Sequence, residues 1–411
     1  MEKIIKREQY LSKIRHFYDS DYIKVITGIR RSGKSVILQE IIKEIKKTRS
    51  DKNHIIYIDL ESKKNESIKT RIQLEEYIES CIKDRKKYYI FIDEIQHIKR
   101  FEEAIASIRV SFKCSLFVTG SNSTLLKGKL QDRLTGRAKE FVIYPFTYNE
   151  VMEYKKINRI QINDNELEEY IKYGGMPQRF KEIDEDGYNN YLRNIYKSIV
   201  EKDVFEQHKR INKSEFNKIA KYIISHSGKL FSALSIAKYV KSSLPKERQR
   251  GYADTVNDYA RYLEESFFIS ECPPYYLNGK EMLNGTKKYY CIDPGIRNAL
   301  GSSLKIDESF SLECVIYNEL IVRGYDVKYG KFRNGEIDFV VSKNRKKCLI
   351  QVANYISDEK VFNREYGAFS KIKDNSPKYV LSLNTLGTSY NGITHINIVD
   401  FLLGKADINL M

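Results

Sequence analysis

Five short apolar runs, at Tyr22–Thr27, His54–Leu60, Tyr88–Ile92, Ser115–Thr119 and Glu140–Tyr144, organise the first third of the chain. Short, continuously apolar runs predict strands buried on both faces. Between them, apolar residues recur with helical spacing. Val36, Ile37, Ile41 and Ile45 line one face, and Ala104, Ile105, Ile108 and Phe112 line another. The polar stretch Ser67–Asp84 separates the second and third runs. A helix over residues 1–20 leads in, with Tyr10, Leu11, Ile14, Phe17 and Tyr18 as its apolar positions. Strands alternating with helices predict an α/β unit with a parallel sheet covered on both sides, closed by Pro145.

The period then changes. From Phe146 to about Gln207 the pattern is helical and mixed in charge, broken at Gly174-Gly175-Met176-Pro177. From about Asn212, Ser214 is expected to cap a helix that buries Phe216, Ile219 and Ile223 and ends near Gly228. Ser232 caps a second helix through Val240. A basic loop with Lys246, Arg248 and Arg250 follows, and Asp254 or Thr255 opens a third helix. Phe267–Ser270 and Lys287–Ile292 read as two strands, so this block has the pattern of a winged helix-turn-helix. The last block opens with an apolar helix around Leu312–Leu320 and continues with strands at Asp326–Gly330, Glu336–Val341, Cys348–Ala353 and Lys378–Leu383. The expected domains are 1–147, 148–208, 209–304 and 305–411.

Chemistry enters where the first strand ends. Gly28-Ile29-Arg30-Arg31-Ser32-Gly33-Lys34-Ser35 fits the phosphate-cradling pattern G-x-x-x-x-G-K-[ST], between a strand and a helix as that mechanism requires. Glycines let successive backbone N–H groups turn inward, and the helix N-terminus beginning near Val36 adds partial positive charge. Lys34 supplies a full charge, and the Ser35 hydroxyl is placed for Mg²⁺. Arg30 and Arg31 either add positive charge near the phosphates or face solvent. The third strand ends in Asp93-Glu94. Asp93 is positioned to hold Mg²⁺ and Glu94 to polarise the attacking water. The fourth ends in Thr119-Gly120-Ser121-Asn122, where Ser121 or Asn122 can sense the γ-phosphate. Arg133 and Arg137 precede the fifth strand, and Arg137 is a candidate to stabilise transferring phosphate on a neighbouring subunit, which implies a homo-oligomer. ATP and Mg²⁺ are the expected cofactors.

Composition changes the picture in two ways. Lys and Arg exceed Asp and Glu by 71 − 55, a net charge of +16 that fits a polyanionic partner such as DNA, although it is spread along the chain. No apolar run reaches the length of a membrane helix, the first residues are too charged for a signal peptide, and six cysteines lack paired spacing. The expectation is a protein of the reducing cytoplasm with free thiols and no membrane partner.

The set GIRRSGKS, IFIDE, FVTGSNS, LTGRAKEF and YGGMP, in this order, resembles the bacterial and archaeal AAA-type ATPases close to the STAND group, over nearly the whole chain. The resemblance implies a 5-1-4-3-2 parallel sheet, a helical lid whose Pro177 lies against adenine, a winged helix, and a restriction-endonuclease-like C-terminal α/β domain. In that last domain Glu313, Asp338 and Gln351 fall on helix, strand and strand, as in the PD-(D/E)XK nuclease core. There two strand carboxylates and the helix glutamate hold Mg²⁺ and a lysine helps activate water. Here Gln351 replaces a carboxylate and Ala353 the lysine, so a nuclease-like fold without efficient cleavage is expected, with Lys360 or Glu365 as relocated substitutes. The nucleotide site, the charge and the C-terminal pattern leave three roles open. One is an ATPase coupled to a partner-binding C-terminal half, another an ATP-regulated DNA-binding protein or nuclease, and the third a STAND-like switch binding a protein.

Overall fold

The computed structural model describes residues 3–48, 52–122, 136–181, 184–240, 242, 246–277, 286–301, 308–333, 335–385 and 389–411. They form two compact units, Ile4–Tyr144 with Glu265–Phe267, and Pro145–Glu264 with Phe268–Met411 and Lys3.

The first unit is built on a five-stranded sheet. Its strands are β1 (Ile23–Thr27), β2 (Ile55–Asp59), β3 (Tyr88–Asp93), β4 (Cys114–Thr119) and β5 (Ala138–Val142). All neighbours are parallel, in the order β2-β3-β4-β1-β5, which is the expected 5-1-4-3-2 sheet. Every residue of β1 and β3 is buried, because helices cover both faces of a parallel interior strand. Those helices are α1 (Glu8–Arg15), α2 (Lys34–Thr48), α3 (Arg71–Cys81) and α4 (Phe101–Ser111). The polar 67–84 stretch yields α3, started by a reciprocal Thr70–Gln73 capping box. The lead-in helix is shorter than the expected 1–20, since its amphipathic repeat is used only over Glu8–Arg15. The fifth strand starts two residues before the expected Glu140. Lys139 and Glu140 are exposed there, as an edge strand allows.

Register fixes where the strand ends fall. Ile26 pairs with Thr119, and Ile92 with Val118, so Gly28, Asp93 and Thr119 gather at one edge of the sheet. Brought there by backbone pairing, they define the place where chemistry is built.

The second unit begins with α5 (Tyr148–Ile157), α6 (Glu166–Tyr173) and α7 (Glu185–Ile199). The break at 174–177 has a packing cause. A Cβ on Gly175 would lie 1.9 Å from the Phe146 carbonyl oxygen, and one on Gly174 (φ +74°) would lie 2.1 Å from the Asp293 carboxylate. That carboxylate accepts the Gly175 N–H at 2.7 Å and caps a later helix through the Ile296 N–H at 3.0 Å. Gly175→Ala is therefore expected to lower the melting temperature by on the order of 5 °C, read by calorimetry. An unchanged melting temperature would mean the segment yields without cost.

Next come α8 (Lys213–Ser225), β6 (Leu230–Phe231), α9 (Ala233–Val240), α10 (Lys246–Glu265), β7 (Ile269–Cys272), β8 (Pro274–Tyr276), β9 (Lys287–Cys291) and α11 (Pro294–Leu300). Asn212, not Ser214, caps α8, accepting the Glu215 N–H at 3.1 Å. Ser232 caps α9 as expected, accepting the Ser235 N–H at 3.2 Å. The basic segment from Lys246 is the start of α10 and not a loop, and the helix runs through Gly251 to Glu265. An antiparallel sheet in the order β6-β9-β7 completes this block.

The C-terminal block has α12 (Glu308–Val322), β10 (Asp326–Phe332), β11 (Gly335–Lys343), β12 (Lys346–Val352), α13 (Glu359–Glu365), α14 (Gly367–Ser370), β13 (Lys378–Ser382), β14 (Ile393–Asn397) and α15 (Ile398–Leu402). Its six-stranded sheet runs β14-β13-β12-β11-β10-β8, antiparallel in the β10-β11-β12 meander and parallel elsewhere. β8 joins this sheet, whereas β7, one residue earlier, belongs to the three-stranded one.

Candidate nucleotide site

The loop after β1 is shaped by two glycines. Gly28 has φ +137°, and a Cβ there would stand 2.2 Å from the Ile143 carbonyl oxygen, so only glycine fits. Gly33 has φ +99° and Arg31 φ +66°, and such reversals of hand turn backbone N–H groups into one concavity. α2 opens at Lys34, adding its unbonded first-turn N–H groups. Lys34 is 3% exposed, and its ammonium donates to the carbonyls of Gly28 (3.1 Å) and Ile29 (3.2 Å). Ser32 is buried, Ser35 exposed, Val36 and Arg30 half-buried and Arg31 exposed.

Two carboxylates face this loop. Asp93 is buried and accepts from the Thr119 hydroxyl and from the Tyr57 hydroxyl at 3.1 Å, with Ser35 near enough to favour its charged form. Burial pushes its pKa up, while those donors favour the carboxylate. Glu94 takes left-handed backbone angles (φ +55°), and its N–H donates to the Thr119 oxygen at 2.9 Å. Its side chain accepts from the Ser121 hydroxyl at 2.8 Å and from Gln96, and lies 3.9 Å from the Lys34 ammonium. Of the two candidates ending β4, Ser121 is thus the one on Glu94, and Asn122 is buried next to it in sequence. Thr119 contacts both carboxylate residues.

Arg7 is a residue that sequence reasoning missed. It is 3% exposed, and its guanidinium donates to the Ser32 carbonyl of the loop at 3.0 Å while lying over the Tyr10 ring. No motif marks it, because folding of α1 brings it there. Arg137 is exposed and is not brought to the loop. Its carbonyl accepts the Ile23 N–H at 2.9 Å, at the start of β1. The loop follows the other end of that strand, about 16 Å away at ~3.3 Å per residue. Arg133 lies outside the described residues. Pro177 opens a short 3-10 turn in the second unit.

A second predicted group converges on the six-stranded sheet. Gln351 accepts the Asp338 N–H at 2.7 Å, and the Asp338 carboxylate accepts the Val352 N–H at 2.8 Å. The Gln351 amide donates to Glu365 at 3.0 Å, so α13 supplies a carboxylate where β12 lacks one. The Tyr290 hydroxyl donates to Glu313 at 3.3 Å, and Lys288 donates to Glu336 at 3.0 Å. Burial and then the Asp338 carboxylate raise the pKa of Glu313, and burial, with Glu365 and Glu336 behind it and Lys288 against it, raises that of Asp338. Burial works against the Lys288 ammonium, but Glu313, Asp338 and Glu336 outweigh it and hold its pKa above the ordinary lysine value. Lys288 and Glu365 complete the group from elements outside the motif. Lys360, the other suggested substitute, opens no contact to it among the hydrogen bonds of this cluster.

A parallel sheet in this order, with a phosphate loop after β1 and paired carboxylates after β3, is the P-loop AAA-type ATPase fold. Residues 20–152 match the family described as AAA domain, and residues 164–309 match a domain of unknown function, DUF8612. The chain is 31% identical over 403 residues to an uncharacterized protein of Haemophilus influenzae, covering 97% of this chain and 99% of that one, and it belongs to that protein's family. It is also 28% identical over 368 residues to an uncharacterized protein of Methanocaldococcus jannaschii, covering 86% of this chain and 79% of that one. Similar solved structures include the Aeropyrum pernix Orc1 protein in complex with DNA (11% identity, TM-score 0.32, 73% of this chain and 93% of that one). AMPPCP-bound DnaA from Aquifex aeolicus is another (13% identity, TM-score 0.31, 64% and 90%). No helix among the described residues is long and apolar enough to cross a membrane. All six cysteines are free thiols.

Proposed function

We propose that this chain is an Mg²⁺-dependent ATPase that couples nucleotide state to a partner-binding C-terminal half. The observation that carries the reading is the joint hydrogen bonding of Asp93, Glu94, Thr119 and Ser121 beside Lys34 and Ser35. The 28–35 N–H groups and the Lys34 ammonium bind and orient the phosphates. Ser35 and Asp93, close enough that the serine favours the Asp93 carboxylate, would hold Mg²⁺, which when bound neutralises charge on the phosphate oxygens. Glu94, fixed by Ser121, takes the proton of the attacking water. Pro177 is proposed to face adenine. The 209–304 block is proposed to be a winged helix, and 305–411 a nuclease-like domain that has lost cleavage, since neither Gln351 nor Ala353 supplies the charge the chemistry needs. The net charge of +16 favours a polyanionic partner.

Purified protein is expected to hydrolyse ATP only with Mg²⁺, and a magnesium-independent or absent activity would end this reading. Because Arg137 is remote from its own loop, it is proposed to act on a neighbouring subunit. Arg137→Ala should lower kcat by on the order of 10³-fold. Mixing it with Lys34→Ala, which keeps Arg137, should restore part of the activity, and an unchanged rate in Arg137→Ala alone would remove the residue from the mechanism.

A further inference from the structure

Four carboxyl groups meet at the C-terminal sheet, and each has a protein donor. Tyr290 serves Glu313, Lys288 serves Glu336, the Val352 N–H serves Asp338, and Gln351 and Arg364 serve Glu365. Divalent cations need carboxylate or carbonyl oxygens turned to a common point. Gln351 instead spends its oxygen on the Asp338 N–H and turns its amide nitrogen, a hydrogen donor, toward Glu365. No group of three or more His, Cys, Asp or Glu side chains among the described residues is arranged to hold a metal ion.

The positive charge of this cluster comes from elsewhere in the chain. Lys288 lies on β9, the central strand of the three-stranded sheet, and is 2% exposed. A buried ammonium is costly unless carboxylates or other acceptors compensate it. It donates to Glu336 at 3.0 Å, and Glu313 and Asp338 lie within electrostatic reach. Tyr290, two residues on, contacts Glu313 from the same strand.

We infer that Lys288 is the built-in counter-ion of this cluster, taking the positive place that a divalent cation holds in a working nuclease of similar fold. The site loads no metal and instead clamps β9 to the six-stranded sheet. This rests on the nuclease-like reading of residues 305–411. An ammonium and the NH₂ end of Gln351 both repel a second cation, and at low dielectric that repulsion is strong.

The test is a Mn²⁺ titration of the full-length chain without nucleotide, reading free Mn²⁺ by electron paramagnetic resonance. Wild type and Asp338→Asn are expected to bind the same number of ions. Lys288→Met should gain one further Mn²⁺, at least tenfold tighter than any wild-type class, and lose it when Asp338→Asn is added. A Mn²⁺ held by wild type and lost in Asp338→Asn would overturn the inference, as would a folded Lys288→Met with no gain. Lys288→Met should also melt lower by on the order of 5–10 °C, with part of the loss recovered by Asp338→Asn. If Lys288→Met does not fold, the wild-type and Asp338→Asn comparison decides. Metal bound by wild type without cleavage overturns only the counter-ion. Mg²⁺-dependent nicking of plasmid DNA that vanishes in Asp338→Asn overturns the cleavage-free reading as well.

Discussion

Glu94→Gln is expected to leave ATP bound while slowing hydrolysis by roughly 10²–10⁴-fold, the usual contribution of a positioned general base. Glutamine keeps the shape of the side chain, and its carbonyl oxygen can still accept from the Ser121 hydroxyl that holds Glu94 at 2.8 Å. The backbone bond from residue 94 to Thr119 is untouched by the change. What is lost is the capacity to take a proton from water. Binding is read with a fluorescent nucleotide and turnover by phosphate release. A variant that hydrolyses ATP at the wild-type rate would take Glu94 out of the reaction.

Lys34→Ala should strike earlier, at binding. The ammonium is buried in the loop and already bonded to two of its carbonyls, so it is oriented before phosphate arrives. Two hydrogen bonds from a charged donor to phosphate are worth about 3–6 kcal/mol together, or roughly 10²–10⁴-fold in Kd. Removing the amine also leaves the Gly28 and Ile29 carbonyls without that donor. Calorimetric titration with ATP and Mg²⁺ checks the affinity, and circular dichroism checks that the sheet is intact. Wild-type affinity in a folded Lys34→Ala would show that phosphate is held elsewhere.

The nucleotide unit was legible because its signals are local. Continuous apolar runs set the interior strands, and glycines with a lysine mark a loop whose backbone does the binding. Edge elements were harder. β5 carries Lys139 and Glu140 on an exposed rim, so its start was displaced, and β14, with Thr394 exposed and His395 half-buried, was not among the expected strands. Cap residues compete at close range, and Asn212 prevailed over Ser214. The start of α10 was hidden by its polar, basic first turns. Arg7 and Lys288 could not be assigned from sequence, because each reaches its partners only when separate elements pack, and Glu365 was legible only as one of two substitutes, which the packing of α13 on Gln351 separates. The departures at Gln351 and Ala353 were visible as missing charges. That the lysine would come from β9 was not.

Thr119 has a consequence for timing. Its one hydroxyl donates to Asp93 and accepts from the Glu94 backbone. A single oxygen thus ties the Asp93 carboxylate, proposed to face the metal, to the backbone of Glu94, proposed to face the water. Displacing Thr119 would break both bonds at once, so on the proposed reading loading of the ion and readiness of the base are expected to switch together, as one event set from the end of β4.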